Sequence, residues 1–241
     1  MAPDRRQHRG PHQKDSILFR KEGEKILLQA AADYYELINK GYTSKASIKL
    51  VGDHFRLQER QRQAICRSVC TDAYKFSLQQ REVAPEAMSQ QAILIDGFNT
   101  IITLEALYSN APLFKNRDQT IRDLSGIHGS YRKVVETPLC IHDIAESLRL
   151  LAPATITWLL DKPISNSGRL AALIRAIGKE RGLPWEVEVV NKVDQKLSEY
   201  DGVIVSTDSY ILKRCAHWFN LLNYHLERID RPVWLIDLSA I

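Results

Sequence analysis

From Gln91 onward, short apolar runs of β type alternate with helical stretches, and each of those runs leads into an aspartate. The spacing predicts strands over 93–95, 154–160, 186–190, 202–205 and 233–236. Helices are predicted over 100–108, 139–151, 166–181, 194–200 and 209–227, the last with a break near Cys215. Strands that alternate with helices build a mostly parallel sheet with helices on both faces. A parallel sheet puts all strand carboxyl ends on one edge, where open α/β folds hold their ligands. The expected fold is therefore α/β, of the Rossmann-like type.

The first run, Ile93-Leu94-Ile95, ends abruptly in Asp96-Gly97-Phe98-Asn99. Asp161 ends the second run, Asp194 follows the third at longer range, and Asp208 follows the fourth behind Ser206-Thr207. Each acid alone has an ordinary explanation as a helix cap or a first-turn residue. Four on one edge would repel each other unless a hard cation joined them, and Mg²⁺ or Mn²⁺ selects oxygen ligands of this kind. Such an ion stabilises charge building on a phosphoryl group. Asp96, Asp161, Asp194 and Asp208 are thus the expected metal ligands and catalytic acids, with Asn99 and Ser206 as orienting groups. Asp237 also ends a run but lies at the far end of the chain and is left out of the set.

Residues 16–83 carry no strand signal. Apolar positions Ile26, Leu27, Ala30, Ala31, Tyr34, Leu37 and Ile38 follow the helical i, i+3, i+4 rhythm. A second helix is expected from Thr43 or Ser44 to Leu50, broken at Gly52, and a third over 57–78. The expected organisation is a disordered basic arm over 1–15, a small all-α region over 16–83, a linker over 84–90 and the α/β region over 91–241. Residues 44–67 allow a helix-turn-helix reading or a plain helical bundle. The net charge of +4 is uneven, with 16 Lys plus Arg against 11 Asp plus Glu up to Gln91 and 17 against 18 beyond. That excess favours an anionic partner. Arg60, Arg62, Arg67, Arg117, Arg122 and Arg132 are the candidate phosphate contacts. The polar insertion over 112–133 is read either as a substrate lid, with Arg117, Arg122 and Arg132 contacting phosphate, or as a solvated connection held by Arg–Asp pairs.

Several function classes lose ground. Neither a Walker-type loop nor a GxGxxG loop is present, and His128, His142, His217 and His225 suggest no catalytic triad. Cys66, Cys70, Cys140 and Cys215 show no CxxC spacing, and Cys140 with His142 has no second pair to complete a zinc site. Free thiols suit a reducing cytoplasm, and no apolar run approaches a membrane span.

The motifs Ile95-Asp96-Gly97-Phe98-Asn99, Leu160-Asp161-Lys162-Pro163, Val193-Asp194-Gln195-Lys196-Leu197 and Val205-Ser206-Thr207-Asp208 resemble those of the PIN-like nucleases, including their NYN branch. The resemblance covers roughly residues 91–240. It implies a metal-dependent nuclease, a ribonuclease ahead of a deoxyribonuclease, and a further helix acid for which Glu105, Asp123 and Glu136 compete. The whole chain also resembles a prokaryotic family of unknown function in which a helical region precedes a PIN-like one. That likeness rests on 9–12, 60–62, 122–126 and 161–168. The expected partner is nucleic acid, RNA before DNA, with no membrane partner and a homodimer left open. The alternatives are a non-catalytic nucleic-acid-binding protein with a degenerate site and a protein-interaction module.

Overall fold

The computed structural model describes residues 8–125 and 131–241. His128, and Gly126 of the 122–126 stretch, lie outside the described residues. Five parallel strands form the main sheet in the order β5-β4-β1-β6-β7. They are β1 (Ala92–Asp96), β4 (Thr155–Asp161), β5 (Trp185–Val190), β6 (Val203–Val205) and β7 (His217–Trp218). The intervening helices are α6 (Gly97–Tyr108), α7 (Thr137–Leu151), α8 (Ser167–Glu180), α9 (Val193–Ser198), α10 (Ser209–Leu212) and α11 (Leu221–Leu226).

Side chains alternate across the sheet, as strand geometry requires. Ile93 and Ile95 of β1, with Ile156, Trp158 and Leu160 of β4 and Val203 and Val205 of β6, pack into the larger core with α6, α7, α8 and α11. Leu94, Leu159 and Ile204 face the other way, onto Val193, Leu197, Ile211 and Leu212 of α9 and α10. Both faces are covered, which accounts for the unbroken apolar strands. From β1 the chain moves outward to β4 and β5, then crosses to β6 on the other side of β1. The switch of direction therefore lies between the carboxyl ends of β1 and β6.

The helical region is α1 (Asp15–Leu18), α2 (Glu22–Asn39), α3 (Ser44–His54), α4 (Glu59–Ser68) and α5 (Asp72–Gln79). The Thr43 side chain caps α3 by accepting from the Ala46 N–H at 3.3 Å. Gly52 does not break that helix, contrary to expectation. It leaves a notch for Arg62, whose guanidinium would lie 2.1 Å from a Cβ placed there. The single helix expected over 57–78 is two, because Val69 leaves helical geometry and Thr71 caps α5 by accepting from the Tyr74 N–H at 3.3 Å.

Three further expectations are corrected by long-range packing. The arm is ordered from His8 on: Arg9 is 4% exposed and bonds to Glu105 of α6. The linker is pinned rather than loose. Met88 is fully buried, the Val83 N–H donates to the Trp218 carbonyl at 2.8 Å, and residues 82–83 thereby cover the edge strand β7. The insertion after α6 contains β2 (Leu113–Lys115) and β3 (Ile121–Arg122), which form a second sheet with β8 (Leu235–Asp237) in the order β3-β2-β8. The last strand thus leaves the main sheet, and Ile236, Leu238 and Phe114 join the core of α2, α3 and α4. The expected final helix is divided into α10, β7 and α11. No helix among the described residues is long and apolar enough to cross a membrane.

Candidate functional site

Asp96 is the last residue of β1 and the cap of α6. One of its oxygens accepts from the Asn99 N–H at 3.3 Å, and the other accepts from the Ser206 hydroxyl at 2.8 Å. Gly97 permits this sharp strand-to-helix turn, since a Cβ there would meet Leu160 Cδ2 at 2.6 Å and the Leu159 carbonyl oxygen at 2.9 Å. The Asn99 side-chain carbonyl accepts from both the backbone N–H and the hydroxyl of Thr207, each at 2.9 Å. The Asp208 N–H donates to the Ser206 hydroxyl oxygen at 3.1 Å. Two loops are thereby knitted across the switch point between β1 and β6.

Asp208 caps α10, one oxygen accepting from the N–H groups of Tyr210 at 2.7 Å and Ile211 at 3.4 Å. Asp161 ends β4 half-buried, and Asp194 sits exposed in the first turn of α9. Electrostatics join the four. Burial raises Asp96 to about 7, the Ser206 and Asn99 hydrogen bonds oppose the rise, and the charges of Asp194 and Asp208 add to it. Asp161 is raised by burial and then by the Asp194 charge, and Asp194 by burial and then by the Asp208 charge. The edge thus runs from a buried carboxyl, Asp96, to solvent-facing ones, Asp194 and Asp208.

The donor set is all oxygen and carries clustered negative charge, which is the chemistry that suits Mg²⁺ or Mn²⁺. Among the described residues, no three His, Cys, Asp or Glu side chains stand in a ready-made ligand group.

Next to this edge opens a cleft of about 770 Å³. One wall is helical and includes Tyr34, Tyr42, Cys66, Arg67, Cys70 and Tyr74. The other includes Phe98, Asn99, Thr103, Asp123, Thr207 and Asp208. Of the three acids that compete for the expected helix position, Asp123 lines the cleft but stands in the loop after β3 rather than on a helix, where it accepts from the Thr103 hydroxyl at 2.7 Å. Glu105 is fully buried in a separate network with Arg9, Tyr131 and Thr137, and Glu136 accepts from His8.

The candidate arginines separate into two groups. Arg60 makes a two-pronged bond to buried Asp15, at 2.7 and 3.0 Å. Arg62 is held by Asp53 and by the carbonyls of Leu57 and Ile48. Arg117 reaches Asp72, the Ile241 carbonyl and the Cys70 carbonyl. Those three brace the fold, and Arg132 is exposed outside the cleft lining. Arg67 and Arg122 do line the cleft, each already engaged by backbone carbonyls, and Arg122 also by Asp118. The insertion is a packed wall in its described part, with Asn116, Asp118 and Thr120 buried; it contains the Arg122–Asp118 pair but is not the solvated connection expected.

Sequence reasoning missed Lys213, Ser209 and Tyr74. The first two lie five and one residues after Asp208, so the helix following a strand-end acid was the available signal. It also missed a second buried polar cluster, in which the Ser147 hydroxyl and His225 Nδ1 lie 2.9 Å apart and Tyr108 donates to Asp143 at 2.5 Å. Burial lowers His225 to about 4, so it is neutral at physiological pH. That cluster lies in the packing of α7 against α11, away from the cleft.

Comparison with known proteins gives two family matches. The family described as Domain of unknown function (DUF5616) matches residues 85–224, and that described as Protein of unknown function (DUF434) matches residues 26–81. An uncharacterized protein of Methanocaldococcus jannaschii, MJ0935, is 30% identical over 186 residues, covering 77% of this chain and 88% of the relative. No solved structure matches.

Proposed function

The chain belongs to the family described as Domain of unknown function (DUF5616), and from its sheet edge we propose that it is a PIN-like, metal-dependent nuclease whose substrate is RNA. The observation that carries this reading is the electrostatic coupling of Asp96, Asp161, Asp194 and Asp208 along one carboxyl edge, beside a cleft of about 770 Å³ that Asp208 lines. Such coupling is typical of sites where acids are gathered for chemistry rather than for stability. Asp96, Asp161, Asp194 and Asp208 would hold Mg²⁺ or Mn²⁺. The ion would supply charge neutralisation at a phosphoryl group and lower the pKa of water.

The protein's own groups do the rest. Ser206 and the Asn99 N–H fix the Asp96 carboxylate, and the Asn99 side chain ties the Thr207 turn in register with β1. A ligand carboxylate held in one orientation loses little entropy when it engages a cation. Asp123, in the loop after β3 and held by Thr103, lines the same cleft and is the best placed further acid.

The test is purified protein with labelled single-stranded RNA in Mn²⁺, in Mg²⁺ and in EDTA. Cleavage in metal is expected, with its loss in EDTA and in both Asp96→Asn and Asp208→Asn. Persistent cleavage in EDTA or in either variant would overturn the reading. One observation favours a second reading, a non-catalytic nucleic-acid-binding protein: Asp96 and Asp208 both already serve as helix caps. Binding of RNA without cleavage in any metal would select it.

A further inference from the structure

Three cations line the cleft, Arg67, Arg122 and Lys213. Arg122 donates to the Thr207 carbonyl at 2.7 Å, to the Arg67 carbonyl and to Asp118 at 2.8 Å. Arg67 donates to the carbonyls of Asp123 at 3.0 Å and Ser125 at 3.4 Å. Lys213 differs. It is exposed, its ammonium lies 5.6 Å from the centroid of the Tyr74 ring, and it has no ion pair among the described residues. A tyrosine face steadies an ammonium without neutralising it, so the charge stays available to a ligand.

Ser209 lies four residues before Lys213, on the same face of the α10 turn. It also lines the cleft, is exposed, and its hydroxyl has no hydrogen-bond partner among the described residues. A hydroxyl and an ammonium one turn apart, open to a cleft, match the needs of a phosphate: a point charge plus a neutral donor. Of the other charged groups lining the cleft, Asp118 pairs with Arg122, Asp123 accepts from the Thr103 hydroxyl, and Asp208 turns one oxygen to the N–H groups of Tyr210 and Ile211, so Lys213 also offsets the Asp208 charge for an incoming anion.

We infer that Ser209 and Lys213 form a phosphate subsite on the wall of the cleft, binding a backbone phosphate adjacent to the one at the acidic edge. The inference rests on the nuclease reading for the identity of the strand that supplies that phosphate. Lys213 stands five residues from Asp208, about 7 Å along a helix. The phosphate it holds is therefore a neighbour of the reacting one, not the reacting one itself. Lys213 and Ser209 act by positioning the strand.

Two measurements separate this subsite from the nuclease reading. Inorganic phosphate is titrated in EDTA at constant ionic strength while Tm is followed. Wild type and Lys213→Arg are expected to gain Tm, Ser209→Ala to gain less and Lys213→Ala to gain none. In the same buffer, a labelled single-stranded RNA is bound at several salt concentrations. The slope of log affinity against log salt is expected to fall by about 0.7 in Lys213→Ala, the share of one phosphate contact. A phosphate response equal in Lys213→Ala and wild type, or absent from wild type, overturns the subsite even if RNA is cut. A response lost in Lys213→Ala, with no RNA cleaved in any metal, sustains the subsite and removes the nuclease.

Discussion

Asp96 combines two demands that pull against each other. Its hydrogen bonds favour the carboxylate, while its burial at 7% exposure favours the neutral acid, and burial wins. The folded protein releases this proton near 7, against 3.8 for an ordinary aspartate. Between those values the folded state holds the extra proton, so the Asp96 contribution makes stability fall as pH rises from about 4 to about 7. Asp96→Asn removes that penalty. It is expected to be more stable than wild type at pH 8 by on the order of 2 kcal/mol, a rise of roughly 4–8 °C in Tm. The gain should vanish near pH 4. Thermal melts of both proteins across pH 4–8 check this, and a variant less stable at pH 8 would contradict it. The acids at the ends of β1 and β4, and those following β5 and β6, were legible because an apolar run that stops at a carboxylate is a local pattern. Lys213 was not picked out, because its place on the helix after a strand-end acid marks it as near the edge but does not distinguish a cation facing a cleft from one facing water.

At the scale of elements, the cleft depends on parts that have little signal of their own. β3 and β7 are two residues each, and β2 and β8 three. Runs that short hold no period for a sequence to display, and so β2 and β3 were read as part of a polar insertion, while β8 was read as a last strand with no sign that it leaves the main sheet. Its Arg122 is the joint of the cleft, tying β3 to the Thr207 turn, to the end of α4 and to Asp118, whose side chain is 1% exposed. Arg122→Ala leaves the Asp118 charge buried without its partner, a change that costs about 3–5 kcal/mol. Urea unfolding is expected to show a loss in that range. The double variant Arg122→Met with Asp118→Leu is expected to recover most of it, since both buried charges go together. A single variant within 1 kcal/mol of wild type would show that the joint carries no weight. The long helices and the alternating strands were legible for the converse reason, since each repeats its period several times.

Over the whole molecule, the two ends of the chain cross. The segment at Arg9 plugs into the α/β region, where its guanidinium bonds to Glu105 and lies 5.3 Å from the Tyr131 ring centroid. β8 goes the other way, into the helical core. α5 likewise docks on the sheet side, with Leu78 buried beside Trp218 and the Trp218 indole N–H donating to the Leu78 carbonyl at 2.9 Å. The two regions are therefore expected to unfold in one transition, with far-UV circular dichroism and tryptophan fluorescence giving the same midpoint. Arg9→Ala is expected to lower stability by about 3 kcal/mol, because Glu105 keeps a buried charge, and Arg9→Ala with Glu105→Gln to recover part of that loss. Separate midpoints for the two probes would contradict the coupling. None of this was readable from sequence, since contacts such as Arg9 to Glu105 span about a hundred residues and leave no local trace.

The crossing of the ends bears on how such a chain can be inherited. Residues 26–81 and 85–224 match two different families and look like interchangeable modules. Yet the helical core is completed by Phe114, Ile236 and Leu238, and the α/β region by Arg9. A recombination event that exchanged either block at the junction near residue 83 would leave its product with an unfilled core and an unmatched buried acid. Shuffling would succeed only where both ends travelled with the block they complete.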